Sequence, residues 1–269
     1  VTTGSLSITS GQTFNGNPID VCSIINVTDA TLTDVTISET STVNLSDDFN
    51  DNSLDPTWTK TDIGPDTGTV NETGGELVVE GGGADIWTNA DEFTFVHKGA
   101  TVSGDFTMTV KVVSQEAVEV WSKAGLMVRE TLAAGSKDAY MVTTPANGAR
   151  YQYRDTTDGA AINDSPNDGG SSTEDGSAPV WLRLSRTGDT FSGDWSLDGT
   201  NWTPNWSSTV VMTDPVYIGL ANTSHDASGT GILSTVVFDD FVTDATTGGT
   251  TVLYNDNTDP VACSGIDTS

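Results

Sequence analysis

Residues 139–154 read AYMVTTPANGARYQYR. Two runs rich in β-branched and aromatic residues, 139–144 and 149–154, flank the pair Asn147-Gly148. Asn-Gly between two such runs is a strong hairpin signal, because both residues tolerate the positive φ that a tight turn requires. This stretch therefore predicts two antiparallel strands joined by a short turn.

Similar turn signals recur through residues 46–244. Thr187-Gly188-Asp189 separates the run 180–186 from the run 190–196, and Asp198-Gly199 separates the latter from a short run at 200–203. About ten strands with short connections predict an all-β fold, an antiparallel two-sheet sandwich or jelly roll. Five further runs have strand character and lie at 76–80, 105–113, 125–130, 216–221 and 233–242.

Composition divides the chain into three regions. Residues 1–45 form an N-terminal β segment, residues 46–244 form the main body, and residues 245–269 form a C-terminal tail. We expect the tail to pair with the N-terminal segment as a small β appendage. The cysteines Cys22 and Cys263 lie one in each, and in a secreted protein the simplest interpretation is a disulfide that joins them.

The chain is strongly acidic, with 38 acidic and 10 basic residues and a formal net charge of −28. Such a charge repels phosphates and anionic lipid head groups, so the composition argues against nucleic acid partners and against a membrane partner. Long apolar runs are absent, which argues against membrane insertion. Abundant Gly, Thr, Ser, Asn and Asp fit a turn-rich extracellular protein, secreted or on a cell surface. The acidity also fits saline surroundings or calcium.

All five arginines lie within 58 residues, between positions 129 and 186. Side chains alternate along a strand, so several predicted strands each turn Arg, Gln or Trp to one side. If these strands are neighbours, they form one open face suited to sugars, since aromatic rings cover sugar C–H faces and arginine reaches hydroxyls. The alternative is that the arginines only tie the acidic surface together. The predicted carbohydrate-binding residues are Arg129, Gln152, Arg154, Trp181 and Arg183.

Several ordered motifs resemble a known family. They include DDFN at 47–50, LDPTW at 54–58, ADIW at 84–87, WSKAGLMVRE at 121–130 and FDDF at 238–241. Together, over about residues 46–244, they resemble the bacterial and archaeal jelly-roll family of unknown function in the concanavalin A-like lectin/glucanase superfamily. The resemblance implies a concanavalin A-like jelly roll, and sugar binding only loosely, because one fold hosts many functions.

Glucanases of that superfamily carry two glutamates on one strand face, and a retaining mechanism needs carboxyls about 5 Å apart. Glu116 and Glu119 are three residues apart, so a strand would turn them to opposite faces. The contiguous residues Ser224, His225 and Asp226 cannot line up as nucleophile, base and orienter, which favours a loop role for His225. The sequence predicts no catalytic residue and a protein that is not an enzyme. A glucanase-like hydrolase is the least favoured alternative.

Calcium is the one cofactor that the sequence suggests. The resemblance implies that the first and last strands of the body pair, which brings Asp48 near Asp240, and concanavalin A-like jelly rolls often hold calcium near that junction. Residues 47–55 are also rich in Asp and Asn, whose oxygens suit calcium. The alternative is a solvated turn whose side chains bond their own backbone.

The N-terminal segment suggests assembly. Leu6, Ile8 and Phe14 alternate as in a strand, within a segment too polar to order alone. Such a segment can add to the sheet of a neighbouring copy, and repeated donation gives a filament. The main hypothesis is a non-catalytic structural subunit of an extracellular filament, with copies of itself as partners. The first alternative is a carbohydrate-binding module with polysaccharide as partner. The segment could instead fold back onto its own chain.

Overall fold

The fold comes from a computed structural model, which describes residues 7–9, 30–32, 35–41, 44–163, 176–247, 249–256 and 261–263. The described residues form eighteen strands. Among these residues, no helix could span a bilayer. The chain separates into two units, Val1–Val43 with Thr247–Ser269 and Asn44–Thr246.

The smaller unit is built from strands of both chain ends. Strand β3 (Val35–Ser41) pairs in parallel with β1 (Ser7–Thr9) and antiparallel with β17 (Gly249–Asp256). A second pair joins β2 (Ala30–Leu32) and β18 (Val261–Cys263) in antiparallel register. Alternating Thr and aliphatic residues in these segments suit a pleated ladder, since β-branched residues favour strands.

The predicted disulfide and assembly residues lie largely outside the described residues. Cys22, Leu6 and Phe14 are among those not described, and Cys263 is described as the strand residue opposite Ala30. The disulfide therefore stays a prediction. Ile8 pairs with Glu39 of its own chain, which favours folding back over donation to a neighbour.

The larger unit is a sandwich of two antiparallel sheets. The six-stranded sheet has the order β11-β10-β9-β15-β7-β4, and the seven-stranded sheet has the order β14-β13-β12-β8-β16-β6-β5. The six strands are β4 (Trp58–Ile63), β7 (Phe93–Lys98), β9 (Lys123–Arg129), β10 (Asp138–Thr144), β11 (Gly148–Arg154) and β15 (Tyr217–Thr223). The seven are β5 (Thr69–Thr73), β6 (Glu76–Gly81), β8 (Phe106–Gln115), β12 (Val180–Thr187), β13 (Thr190–Ser196), β14 (Thr203–Thr209) and β16 (Ser234–Thr243).

This architecture confirms the predicted all-β jelly roll. The hairpin of residues 139–154 is present, with Thr144 opposite Gly148 at the turn and Asp138 opposite Arg154 at the far end. Alternate residues such as Leu126 and Leu182 fill the space between the sheets, where both are fully buried. Burial of these side chains supplies the main stabilisation of the sandwich.

The six-stranded sheet is also covered on its other face. Phe93, Phe95, Met127 and Tyr140 form a second apolar cluster there, joined by Ile86 from the β6–β7 loop. Because both faces of β9 and β10 are buried, every residue of these strands is shielded from solvent. This covered face holds the candidate site.

Candidate functional site

A buried ionic network lies on the covered face of the six-stranded sheet. Asp91 Oδ2 accepts hydrogen bonds from Arg129 Nη1 and Arg154 Nη1, both at 2.7 Å. Asp138 Oδ2 accepts one from Arg154 Nη1 at 2.8 Å. All four side chains are 0–2% exposed. Two positive and two negative charges balance each other, which is how buried charges are tolerated.

The two arginines also hold the covering loops. Arg154 Nη2 donates to the carbonyl of Trp87 at 2.9 Å, and Arg129 Nη2 donates to that of Ala133 at 2.7 Å. The network thereby fixes the β6–β7 loop and the β9–β10 loop against the sheet. Burial, with the Asp91 carboxylate second, raises the pKa of Asp138, while the two guanidinium groups oppose this shift and favour its ionised form.

Beside the network lies a cavity of about 600 Å³. Its walls come from the β6–β7 loop, the β8–β9 loop, strands β9 and β11, residues 161–163 and the segment after β15. The volume is within the usual range for small-molecule sites. The lining residues that matter below are Asp85, Trp87, Trp121, Lys123, Gln152 and His225.

Asp85 joins the two basic groups of the cavity. Its Oδ1 accepts a hydrogen bond from Lys123 Nζ at 2.6 Å, and its Oδ2 lies 3.2 Å from His225 Nε2. The Lys123 ammonium also donates to the Ile86 carbonyl at 2.9 Å and lies 5.4 Å from the ring centre of Trp87. Burial lowers the pKa of Lys123, and Asp85 opposes this shift.

The backbone places Asp85 and His225 firmly. Glu92 N donates to the Asp85 carbonyl at 2.8 Å, and Asp226 N donates to the Gly83 carbonyl at 3.1 Å, so the β6–β7 loop is bonded to the segment after β15. His225 has φ 59°, in the left-handed region that is uncommon for residues other than glycine. Backbone strain of this kind is often found at functional sites.

Two buried polar atoms on this face lack a hydrogen-bond partner among the described residues, Gln152 Oε1 and Tyr140 Oη. The residues stand directly opposite each other on β11 and β10. Gln152 is 4% exposed and lines the cavity, whereas Tyr140 is fully buried. Burial raises the pKa of Tyr140 well above its usual value, so its hydroxyl stays protonated.

The predicted single sugar face is wrong. Arg129 and Arg154 are fully buried in the ionic network, because their charges are neutralised by Asp91 and Asp138. Gln152 shares their strand face and reaches the cavity. Trp181 and Arg183 lie on β12 of the other sheet, so the structure does not bring them to the same face.

Trp181 and Arg183 occupy the outer face of the seven-stranded sheet. Arg183 stacks on Trp202 at 4.3 Å from the ring centre and bonds Asp194 at 3.0 Å. Lys111 lies 6.0 Å from the ring centre of Trp181. Both predicted residues are partly exposed, so their sugar-binding role stays a prediction, separate from the cavity.

The predicted calcium residues lie where the first and last segments of the body meet. Asp47 and Phe241 exchange backbone hydrogen bonds of 2.8 and 2.9 Å, which places Asp48 beside Asp240. Burial, followed by Asp239 and more weakly Asp48, raises the pKa of Asp240. Among the residues that the structure describes, no group of three or more His, Cys, Asp or Glu could hold a metal ion. Calcium at Asp48 and Asp240 therefore stays a prediction.

Sequence reasoning missed most of the cavity. The motifs ADIW and WSKAGLMVRE contain Asp85, Trp87, Trp121 and Lys123, which are not among the predicted site residues, and the sequence favours only a loop role for His225. The signal was the aromatic and charged content of two loops, which alternation along strands does not reveal. Glu116 and Glu119, tested as a catalytic pair, are exposed and lie outside the cavity lining.

Comparison with known proteins places the fold. No family model matches the sequence, and no curated protein matches it. Among solved structures, Bacteroides ovatus Xyloglucan PUL GH43B is similar with TM-score 0.54 and 19% identity over 76% of this chain and 39% of that one. A mutant of the GH43 protein BlXynB from Bacillus licheniformis gives 0.51 and 14% over 74% and 39%.

A functionally unknown protein from Saccharomyces cerevisiae matches with TM-score 0.50 and 18% identity, over 70% of this chain and 96% of that one. These structures confirm a concanavalin A-like jelly roll. The chain spans about 39% of the two GH43 proteins. At these identities the likeness shows the fold, and function has to be argued from the site.

The matches correct one prediction. The sequence predicted a protein that is not an enzyme, whereas the GH43 proteins among the matches are glycoside hydrolases. The cavity also gathers a carboxylate, an imidazole and an ammonium that sequence spacing does not bring together. The absence of a paired-glutamate motif therefore does not exclude catalysis.

Proposed function

We propose that the chain binds a carbohydrate in the cavity on the covered face of the six-stranded sheet. The observation that carries this proposal is the meeting of Trp87 and Trp121 with the polar groups of Asp85, Gln152 and His225 around about 600 Å³. Aromatic rings pack against the C–H faces of sugars, and polar groups fix the hydroxyls.

The physical setting supports this proposal. The cavity is anchored by the ionic network, because Arg154 bonds the Trp87 carbonyl and Asp91 lies in the same loop. A prearranged site loses less conformational entropy on binding than a loose one. The jelly-roll fold shared with GH43 proteins is consistent with a carbohydrate-related role, and we propose an extracellular location on the same grounds.

Retention on immobilised glycans tests the proposal. We expect the protein to be retained on at least one polysaccharide in affinity gel electrophoresis, and Trp87→Ala to weaken retention at least tenfold. Trp206→Ala is the matched control, because Trp206 is 40% exposed on the other sheet and should leave retention unchanged. Equal retention by both variants would count against the cavity.

A second candidate is acid–base chemistry on the bound carbohydrate. The favouring observation is the Asp85–His225 pair, in which a carboxylate 3.2 Å from the imidazole can orient the ring for proton transfer. Release of new reducing ends from a retained glycan would show this activity. We expect His225→Ala to abolish this activity while weakening retention less than Trp87→Ala does, and a wild-type protein that binds without any turnover would contradict it.

The filament hypothesis has less support. Strand β1 pairs with β3 of the same chain. The backbone of Ser7–Thr9 therefore already has the strand partner that the hypothesis expects from a neighbouring copy. Assembly with copies of itself stays a prediction, tested by the size of the full chain at high concentration. A filament lost on deletion of residues 1–16 would support it, and a monomer would contradict it.

A further inference from the structure

The amide oxygen of Gln152 is the most informative atom of the cavity. Gln152 is 4% exposed, its Oε1 has no hydrogen-bond partner among the described residues, and the residue is part of the cavity lining. A buried acceptor without a partner costs stability, so it is expected where a ligand completes the bond.

We infer that the cavity selects a neutral sugar, and that Gln152 Oε1 accepts a hydrogen bond from one of its hydroxyl groups. This inference rests on the proposed function and adds the class of ligand to it. A sugar hydroxyl can donate to an amide oxygen, whereas an ionised carboxylate has no proton to donate and is repelled by it.

The charges of the cavity favour the same ligand. Lys123 is 2% exposed and its ammonium already bonds the Asp85 carboxylate and the Ile86 carbonyl. The other oxygen of Asp85 lies against His225, so this carboxylate is shared between both basic groups of the described lining. An acidic sugar would have to displace these partners to find a counter-charge.

The rest of the molecule acts in the same direction. With a net charge of −28, the chain repels polyuronates at long range. A neutral polyhydroxyl ligand can satisfy the Gln152 acceptor without adding charge to the cavity.

Wild-type protein tests the ligand class by itself. Retention is compared on neutral polysaccharides (xyloglucan, xylan and mannan) and on the uronate polymers polygalacturonate and alginate, at 150 mM salt. We expect retention on at least one neutral polymer and none on either uronate. Retention on the uronates alone would overturn the inference and leave the proposed function standing, whereas no retention on any polymer would contradict both.

Two variants test the role of Gln152. Gln152→Leu removes the acceptor at similar size and should weaken retention on the neutral polymer about tenfold, the value of one hydrogen bond of ordinary strength. Gln152→Asn keeps a neutral amide acceptor and should weaken retention less than Gln152→Leu does. Unchanged affinity in a folded Gln152→Leu variant, checked by circular dichroism, would overturn the assigned bond.

Discussion

Arg154 and Asp138 stand directly opposite each other on neighbouring strands, and their side chains form a 2.8 Å ion pair that is at most 2% exposed. The same arginine contacts Asp91 in the β6–β7 loop. Arg154 thereby links the cross-strand pair to a loop that lines the cavity. The position of Trp87 and Asp85 in that loop depends on these buried charges.

Loss of one charge from this network should destabilise the fold. We expect Asp91→Asn to lower the free energy of unfolding by about 3–5 kcal/mol, because two buried guanidinium groups lose their shared carboxylate. Asp194→Asn breaks the partly exposed pair with Arg183 and should cost about 1 kcal/mol or less. Urea denaturation measures both, and equal effects would contradict the structural role of the network.

Stability should rise with pH in the alkaline range because of Lys98. Its side chain is 1% exposed and its Nζ lies 3.6 Å from the ring centre of Trp58; burial lowers its pKa from 10.5 to about 8. Between these values the unfolded chain binds the proton that the folded chain has released, so raising the pH favours the folded state.

Lys98→Met should flatten this rise in the free energy of unfolding between pH 8 and 10. Lys60→Met is the control, because Lys60 is partly exposed and pairs with Asp62 at the surface. Burial also lowers the pKa of Lys123, so this residue should leave part of the slope in the Lys98→Met variant. A slope identical in wild type and Lys98→Met would exclude Lys98 as its source.

Tyr140 and Tyr151 allow a comparison of a buried tyrosine hydroxyl with and without a hydrogen-bond partner. Tyr151 shares a 2.8 Å hydrogen bond with Ser208, whereas Tyr140 has no partner among the described residues. We expect Tyr151→Phe to cost about 1 kcal/mol and Tyr140→Phe to be neutral or stabilising. Thermal denaturation compares them, and a larger loss in Tyr140→Phe would indicate that a bound water completes its hydroxyl.

Calcium should stabilise the larger unit if Asp48 and Asp240 bind it. Bound calcium would favour the ionised form of Asp240, whose pKa is raised in its absence. At a calcium concentration ten times Kd, binding should add about 1.4 kcal/mol to the free energy of unfolding. Asp48→Asn and Asp240→Asn should remove the effect, and Asp155→Asn, an exposed position elsewhere, should keep it. Thermal melting with calcium or magnesium decides this, and a calcium effect that survives both substitutions would refute the site.

The strands that sequence reasoning found share a clear alternation and a turn signal. Residues 190–196 were predicted and observed with the same bounds, and the hairpin around Asn147-Gly148 was found to within one residue at each strand start. Strand β7, FTFVHK, was missed because both of its faces are buried, which removes the alternation.

The site was harder to predict than the fold for a related reason. Side-chain alternation correctly predicts that Arg129 and Gln152 share a face, but it does not tell which sheet a strand joins, so it wrongly groups Trp181 with them. The cavity depends on loops such as 82–92, whose position is set by long-range contacts with Arg154. Those contacts have no local sequence signal.

Isothermal titration with a retained neutral oligosaccharide tests the central claim most directly. The double variant Trp87→Ala/Trp121→Ala removes the aromatic walls of the cavity, and Trp181→Ala alters the outer face of the other sheet. The account predicts that the double variant loses measurable binding while Trp181→Ala binds as the wild type does. Loss of binding in Trp181→Ala with full binding in the double variant would contradict it and move the site to the seven-stranded sheet.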